Sequence, residues 1–303
     1  MKNGMLYAGL VLMVVVIVVI VVIVLMNNSG KKDVKSVKSE FVDDMKSITL
    51  PSSITTITGS NKLDDKFIVY VYNKYQTKIN NIYHNSVNKK LFENIITGTN
   101  RKKCLNEILL LDFVNAFQTI AGKLMDSKPK MVKTMAALIV TMIIDHKRTS
   151  TSHDMSGSDL SSLMALGSSK SIWIKPRYAG GVGTGFVTLD DLIKAGAITN
   201  SGMVGGTNYT VHLSILLPYL MSTTLNISNL NDGFNKPINN FIQNNVKDFM
   251  GRDCFGQNVP QTSQNDILSL VNSITTELIN NMIKYLDPIS GGGGLGPVLP
   301  PFK

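Results

Sequence analysis

Residues 131–144 read MVKTMAALIVTMII, an almost unbroken apolar run. Two readings compete for it, a membrane span or a helix buried in a protein core. Fourteen residues make a helix of about 21 Å, well short of the roughly 30 Å hydrocarbon layer of a bilayer. Lys133 interrupts the run and Asp145 ends it, so it reads as a core helix. Just before it, Lys128-Pro129 breaks the chain. Upstream, Cys104 to Met125 carries Leu105, Leu109, Phe113, Phe117, Ile120 and Leu124 at helical spacing. The two segments predict a helical hairpin at the heart of an α-rich body.

Working outward, Val34, Val37, Phe41, Met45 and Ile48 put a helical stripe on residues 33–48. That helix either lies on lipid headgroups or packs on the body. Residues 49–62, TLPSSITTITGSNK, read as a linker or irregular loop. Asp64-Asp65 is placed to cap a helix through about Tyr83, although FIVYVY at 67–72 also has strand character. Residues 145–159, DHKRTSTSHDMSGSD, read as a polar loop, followed by a short helix near 159–166 and a strand in SIWIKPRY (171–178). Thr188-Leu189-Asp190-Asp191 has the form of a capping box. Residues 209–225 are apolar but broken by Pro218. A last long helix opens at Ser263–Asp266, runs Ile267, Val271, Ile274, Leu278, Met282 and Leu286 down one face, and stops at Pro288.

A second apolar run, Leu6 to Met26, differs in kind. Its 21 residues contain no charge, and none occurs between Lys2 and Lys31. As a helix it reaches about 31 Å, enough to cross a bilayer. It is longer than a signal-peptide core and ends in Leu25-Met26-Asn27-Asn28 without a small-x-small cleavage site. It is read as a retained anchor, with Leu6, Leu10, Val14, Ile17, Ile20, Ile23 and Met26 facing lipid. Lys31, Lys32, Lys35 and Lys38 follow within a dozen residues, against Lys2 and the terminal amine on the other side. The heavier cluster predicts a short external N-terminus and a cytosolic body, with these four lysines at headgroups. The fold class expected is therefore mainly α, a single N-terminal transmembrane helix followed by an α-rich globular domain with few short strands. Residues 1–30 form the anchor and 31–62 a basic amphipathic stalk and linker. Residues 63–289 form the body, with a possible division near 145–159, and 290–303 a flexible arm.

The arm, SGGGGLGPVLPPFK, joins a glycine tether to a proline-rich tip. Pro297, Leu299, Pro300, Pro301 and Phe302 are candidate partner contacts, because extended proline-rich segments lose little entropy on docking. The chain has 30 basic and 21 acidic residues among 303, a formal charge of +9. That excess suits anionic lipid or an acidic partner. The lysines are dispersed, so nucleic acid is not expected as a partner. Cys104 and Cys254 are the two cysteines; a cytosolic body predicts free thiols. The triplets beginning at Asn27, Asn208 and Asn226 have the N-glycosylation form, which a cytosolic body leaves unused.

Candidates for chemistry are weak. GGVGTG at 180–185 lacks either phosphate-loop pattern. Asp145, His146, His153 and Asp154 match no zinc spacing. Cys254 is a nucleophile only if folding brings a histidine to it. No catalytic residue, cofactor, metal or small-molecule substrate is expected.

The span at 6–26, the basic stalk at 31–38, the α-rich body, the arm at 290–303 and the Asn/Lys/Ile/Met-rich style together resemble membrane-linked minor capsid proteins of large icosahedral DNA viruses. That resemblance implies a non-enzymatic scaffold between an inner virion membrane, with the body facing the shell, and neighbouring structural proteins. The alternatives are a cellular membrane adaptor or receptor, and a tethered enzyme using Cys254. Replacing Lys31, Lys32, Lys35 and Lys38 together by Glu is expected to weaken sedimentation with anionic vesicles or to invert the topology of the inserted chain. Unchanged binding and topology would remove these lysines from the membrane surface.

Overall fold

The computed structural model describes residues 36–97, 104–150, 154–176, 185–200, 208–246, 254–255 and 259–290. The expected anchor, Lys31, Lys32 and Lys35, His153, residues 177–184 of the glycine-rich stretch, and the arm lie outside the described residues. The chain divides into two compact units, 1–40 and 41–303. The division falls between Glu40 and Phe41.

The first helices owe their ends to local caps. Helix α1 (Val37–Ser47) begins where Ser36 Oγ accepts the Ser39 N–H, and it buries Phe41 and Met45. Helix α2 (Ser52–Thr58) replaces the expected loop at 49–62. Its composition favours a turn, but Ile54 and Ile57 are buried, and tertiary packing overrides the weak local preference. Gly59, at φ 72°, ends it in the left-handed region that glycine tolerates. Helix α3 (Asp65–Tyr83) forms where the sequence left helix and strand in competition; Asp64 accepts from the Lys66 and Phe67 amides. Helix α4 (Ser86–Thr97), which pattern reading did not single out, is capped by Asn85.

Helix α5 (Cys104–Leu124) and helix α6 (Pro129–Ser150) form the expected hairpin. Pro129 sits in the first turn, where its missing N–H costs nothing. The segment 131–144 is buried almost completely: Val132 and Ala136 through Val140 expose no surface. Lys133 donates from Nζ to the Thr223 carbonyl at 2.7 Å, and burial lowers its pKa, with Lys130 adding to the effect. Helix α6 continues six residues past Ile144, so the start of the expected polar loop is helical instead.

Beyond it the chain alternates short elements: β1 (Asp154–Ser156), α7 (Gly157–Met164), β2 (Trp173–Ile174), α8 (Leu189–Lys194), β3 (Ile198–Asn200), β4 (Asn208–Val211), α9 (Leu213–Ser222) and β5 (Thr224–Leu225). Thr188 and Asp191 form the expected capping box on α8. Pro218 lies inside α9 without ending it. Strands β1, β4 and β3 make one antiparallel sheet, and β2 pairs with β5 in another. A 3₁₀ turn (Ile227–Asn229) and a π turn (Asn231–Asn235) lead into helix α10 (Lys236–Asn245). Helix α11 (Gln261–Ser290) is the long helix expected, and it runs two residues past Pro288, where the sequence placed its end. The described chain is mainly helical with few short strands.

Helices α2, α5, α9 and α11 all pack on α6. Phe234 of the π turn lies edge-on to Phe117 at 5.1 Å and to Trp173 at 6.4 Å, joining the bundle to the smaller sheet. The turn is close because Gly233 has no side chain: a Cβ there would stand 1.7 Å from the Lys170 carbonyl oxygen. Gly233→Ala is therefore expected to cost about 3 kcal/mol or more, since backbone must move to relieve the overlap. Thermal unfolding of the detergent-solubilised chain reads it; an unchanged midpoint would contradict this packing.

Candidate functional site

Cys104, the first residue of α5, is bonded to Cys254 in the turn region ahead of α11, with Cα atoms 5.9 Å apart. This corrects the expectation of free thiols. Folding brings the start of one core helix beside the approach to another, across a sequence separation of 150 residues. By loop entropy alone, closing so long a loop stabilises the fold by about 5 kcal/mol. Bonded to Cys104, Cys254 carries no thiolate, so it is no nucleophile in this state.

One turn along α5 from Cys104, Glu107 is buried, and its Oε1 lies 3.3 Å from His146 Nδ1 on α6. Phe241 of α10 stands perpendicular to the His146 ring at 6.4 Å. Burial pushes the imidazole pKa below its ordinary 6.5, although the Asp145 charge acts in the opposite sense. The neighbouring residues serve other elements. Asp145 accepts the Ser52 N–H at 3.1 Å, capping α2, and Lys147 pairs with Asp159 on α7. Asp145 and His146 thus face different partners, and among the described residues no group of three or more His, Cys, Asp or Glu could hold a metal ion.

Phe241 also lines a cleft of about 330 Å³ with Lys147, Met155, Asp159, Asn240 and Asn244. The Lys147–Asp159 ion pair, the Asn240 and Asn244 amides and the Met155 and Phe241 side chains give it a mixed polar and apolar lining. Neither Cys254 nor His146 lines it. At the seam between α3 and α11, Glu277 of α11 accepts from Lys74 Nζ (2.6 Å), Tyr75 OH (2.7 Å) and Tyr70 OH (3.0 Å). Burial raises the Glu277 pKa, but the hydrogen bonds from Lys74, Tyr75 and Tyr70 outweigh it and hold the carboxyl below its ordinary value. Lys78 donates to the Ser273 and Ser269 hydroxyls, one and two turns before Glu277 on α11. This polar seam, which fixes α3 to α11, has no local sequence signal, because its partners lie about two hundred residues apart.

Of the residues expected at the membrane, Lys38 alone is described; it is exposed on α1. The arm contacts Pro297, Leu299, Pro300, Pro301 and Phe302 are outside the described residues. By length and composition, Cys104–Leu124 is the one described helix able to cross a membrane. It is a core helix here: it packs on α6 and α11, carries Glu107 buried, and bonds Asp112 to Thr275 of α11. Comparison with protein-family models, curated proteins and solved structures gives no match.

Reduction of the Cys104–Cys254 bond is expected to destabilise the fold by about 2–5 kcal/mol, lowering the unfolding midpoint by roughly 5–15 °C. Cys104→Ser with Cys254→Ser should match the reduced protein; equal midpoints with and without reductant would contradict the staple. His146 makes a separate pH prediction. Its pKa is lower folded than unfolded, so its favourable contribution is complete above about pH 6.5 and declines as pH falls toward the folded value. Midpoints measured between pH 7.5 and pH 5 (assay conditions) should fall, with a smaller fall in His146→Gln.

Proposed function

We propose that the chain is a non-enzymatic, membrane-anchored structural protein that ties a lipid bilayer to a protein assembly. The Leu6–Met26 run supplies the anchor, the stapled bundle the rigid body, and residues 290–303 the tethered contact. The layout shared with membrane-linked minor capsid proteins supports this reading, with neighbouring structural proteins as partners.

The observation that carries the proposal furthest is the Cys104–Cys254 bond. Disulfides persist in lumenal, extracellular and virion-surface settings and are rare in a reducing cytosol. We therefore place the body on the oxidising face of its membrane, against the flanking-lysine rule. That rule rests here on a small difference in flanking charge and is outweighed by a covalent bond between the start of α5 and the turn ahead of α11. The same bond favours a second reading, a cell-surface adaptor or receptor. The two differ in stoichiometry: a scaffold is a repeated component of a purified assembly, a receptor an occasional ligand partner.

Removing residues 290–303 is expected to leave the unfolding midpoint unchanged and to reduce co-sedimentation with the assembly at least several-fold. Co-sedimentation equal to that of the full chain would make the arm dispensable and sink this part of the proposal.

A further inference from the structure

Asn226-Ile227-Ser228 was one of three glycosylation-type triplets, and the fold treats it differently from Asn208-Tyr209-Thr210. Asn208 belongs to β4, the central strand of its sheet, opposite Ser156. Asn226 lies just beyond β5, where the chain leaves the small sheet for a 3₁₀ turn. Its backbone N–H donates to the Ile172 carbonyl at 2.8 Å, which fixes the main chain. Its side-chain Oδ1 accepts from the Ser228 hydroxyl at 2.7 Å, so the amide and the hydroxyl of the triplet already face each other. Ser228 is exposed, and Ile227 between them is 48% exposed, a large apolar side chain left on a turn. Asn229, next along, is turned inward; its Nδ2 donates to the Ser169 and Ser171 carbonyls. The turn is thus tied down on both sides, with Asn226 half-buried at its start and Ile227 and Ser228 exposed beside it.

We propose that Asn226 is the acceptor of an N-linked oligosaccharide. This rests on the placement of the body on the oxidising face, where the glycan donor is found. The donor class is an oligosaccharide carried on a lipid pyrophosphate. Asn226 Nδ2 forms a bond to the sugar C1 as the C1–O bond to pyrophosphate breaks. The lipid pyrophosphate leaves with that electron pair, and the amide proton passes to a base of the transferase. The attached sugar then covers Ile227, whose exposure has no other counterpart on this turn. Asn226 caps the 3₁₀ turn at its start, outside the strands and helices, so a sugar there interrupts no ladder of backbone hydrogen bonds.

The test is translation of the full chain with microsomes, scored for protease protection and for a mobility step sensitive to peptide-N-glycosidase. The expected result is a protected body with a glycosidase-sensitive step. That step is lost in Asn226→Gln and in Ser228→Ala and kept in Ser228→Thr, which retains the hydroxyl. A protected body in which Asn226→Gln migrates like the parent overturns the glycan proposal and leaves the topology standing. A body digested from outside overturns the topology and the glycan proposal with it.

Discussion

A helix that is apolar on every side has to be surrounded, and the fold follows from how residues 131–144 of α6 meet that requirement. Burial of this segment leaves no face for water. Four helices cover it, α2, α5, α9 and α11, drawn from both ends of the chain. Each large side chain removed from water contributes about 1.5–3 kcal/mol. The segment thereby sets which other apolar stripes find a partner. Polar groups at its edges are satisfied individually: Lys133 on Thr223, Thr141 on the Leu138 carbonyl, Asp145 on the Ser52 amide.

The covering helices come from distant parts of the sequence, so closing the bundle carries a large loop-entropy cost. The Cys104–Cys254 bond bears on that cost directly. It joins the start of α5 to the chain entering α11, so the two helices that flank α6 remain neighbours when the rest loosens. The Glu277 seam does for α3 and α11 by hydrogen bonds what the disulfide does for α5 and α11 covalently.

Local signals made part of this fold legible. Asp64 as a cap, the Thr188–Asp191 box, the α5–α6 hairpin and the α11 stripe all stand where residue patterns place them. Illegible elements depend on partners far away in sequence. Residues 52–58 have a loop composition and become helical because Ile54 and Ile57 are buried and Asp145, 93 residues on, caps the first turn. Residues 145–150 are charged and polar and read as a loop, yet Asp145, His146 and Lys147 each find a fixed partner on a different helix. The π turn at 231–235 follows from the close approach of Gly233 to Lys170, which no pattern announces. For the cysteines, sequence left pairing open and flanking lysines favoured thiols; only three-dimensional proximity decides it.

The side of the membrane on which the stapled body sits is the claim on which the functional account turns. Membrane-impermeant maleimide labelling of sealed vesicles containing the full chain, with and without reductant and after permeabilisation, measures it. The account predicts no labelling of Cys104 or Cys254 in sealed vesicles, none after permeabilisation under denaturing conditions, and two labelled thiols once reductant is added. Thiols labelled from the cytosolic side of sealed, unreduced vesicles, or two thiols labelled after permeabilisation and denaturation without reductant, would contradict it, returning the body to the cytosol with its cysteines free.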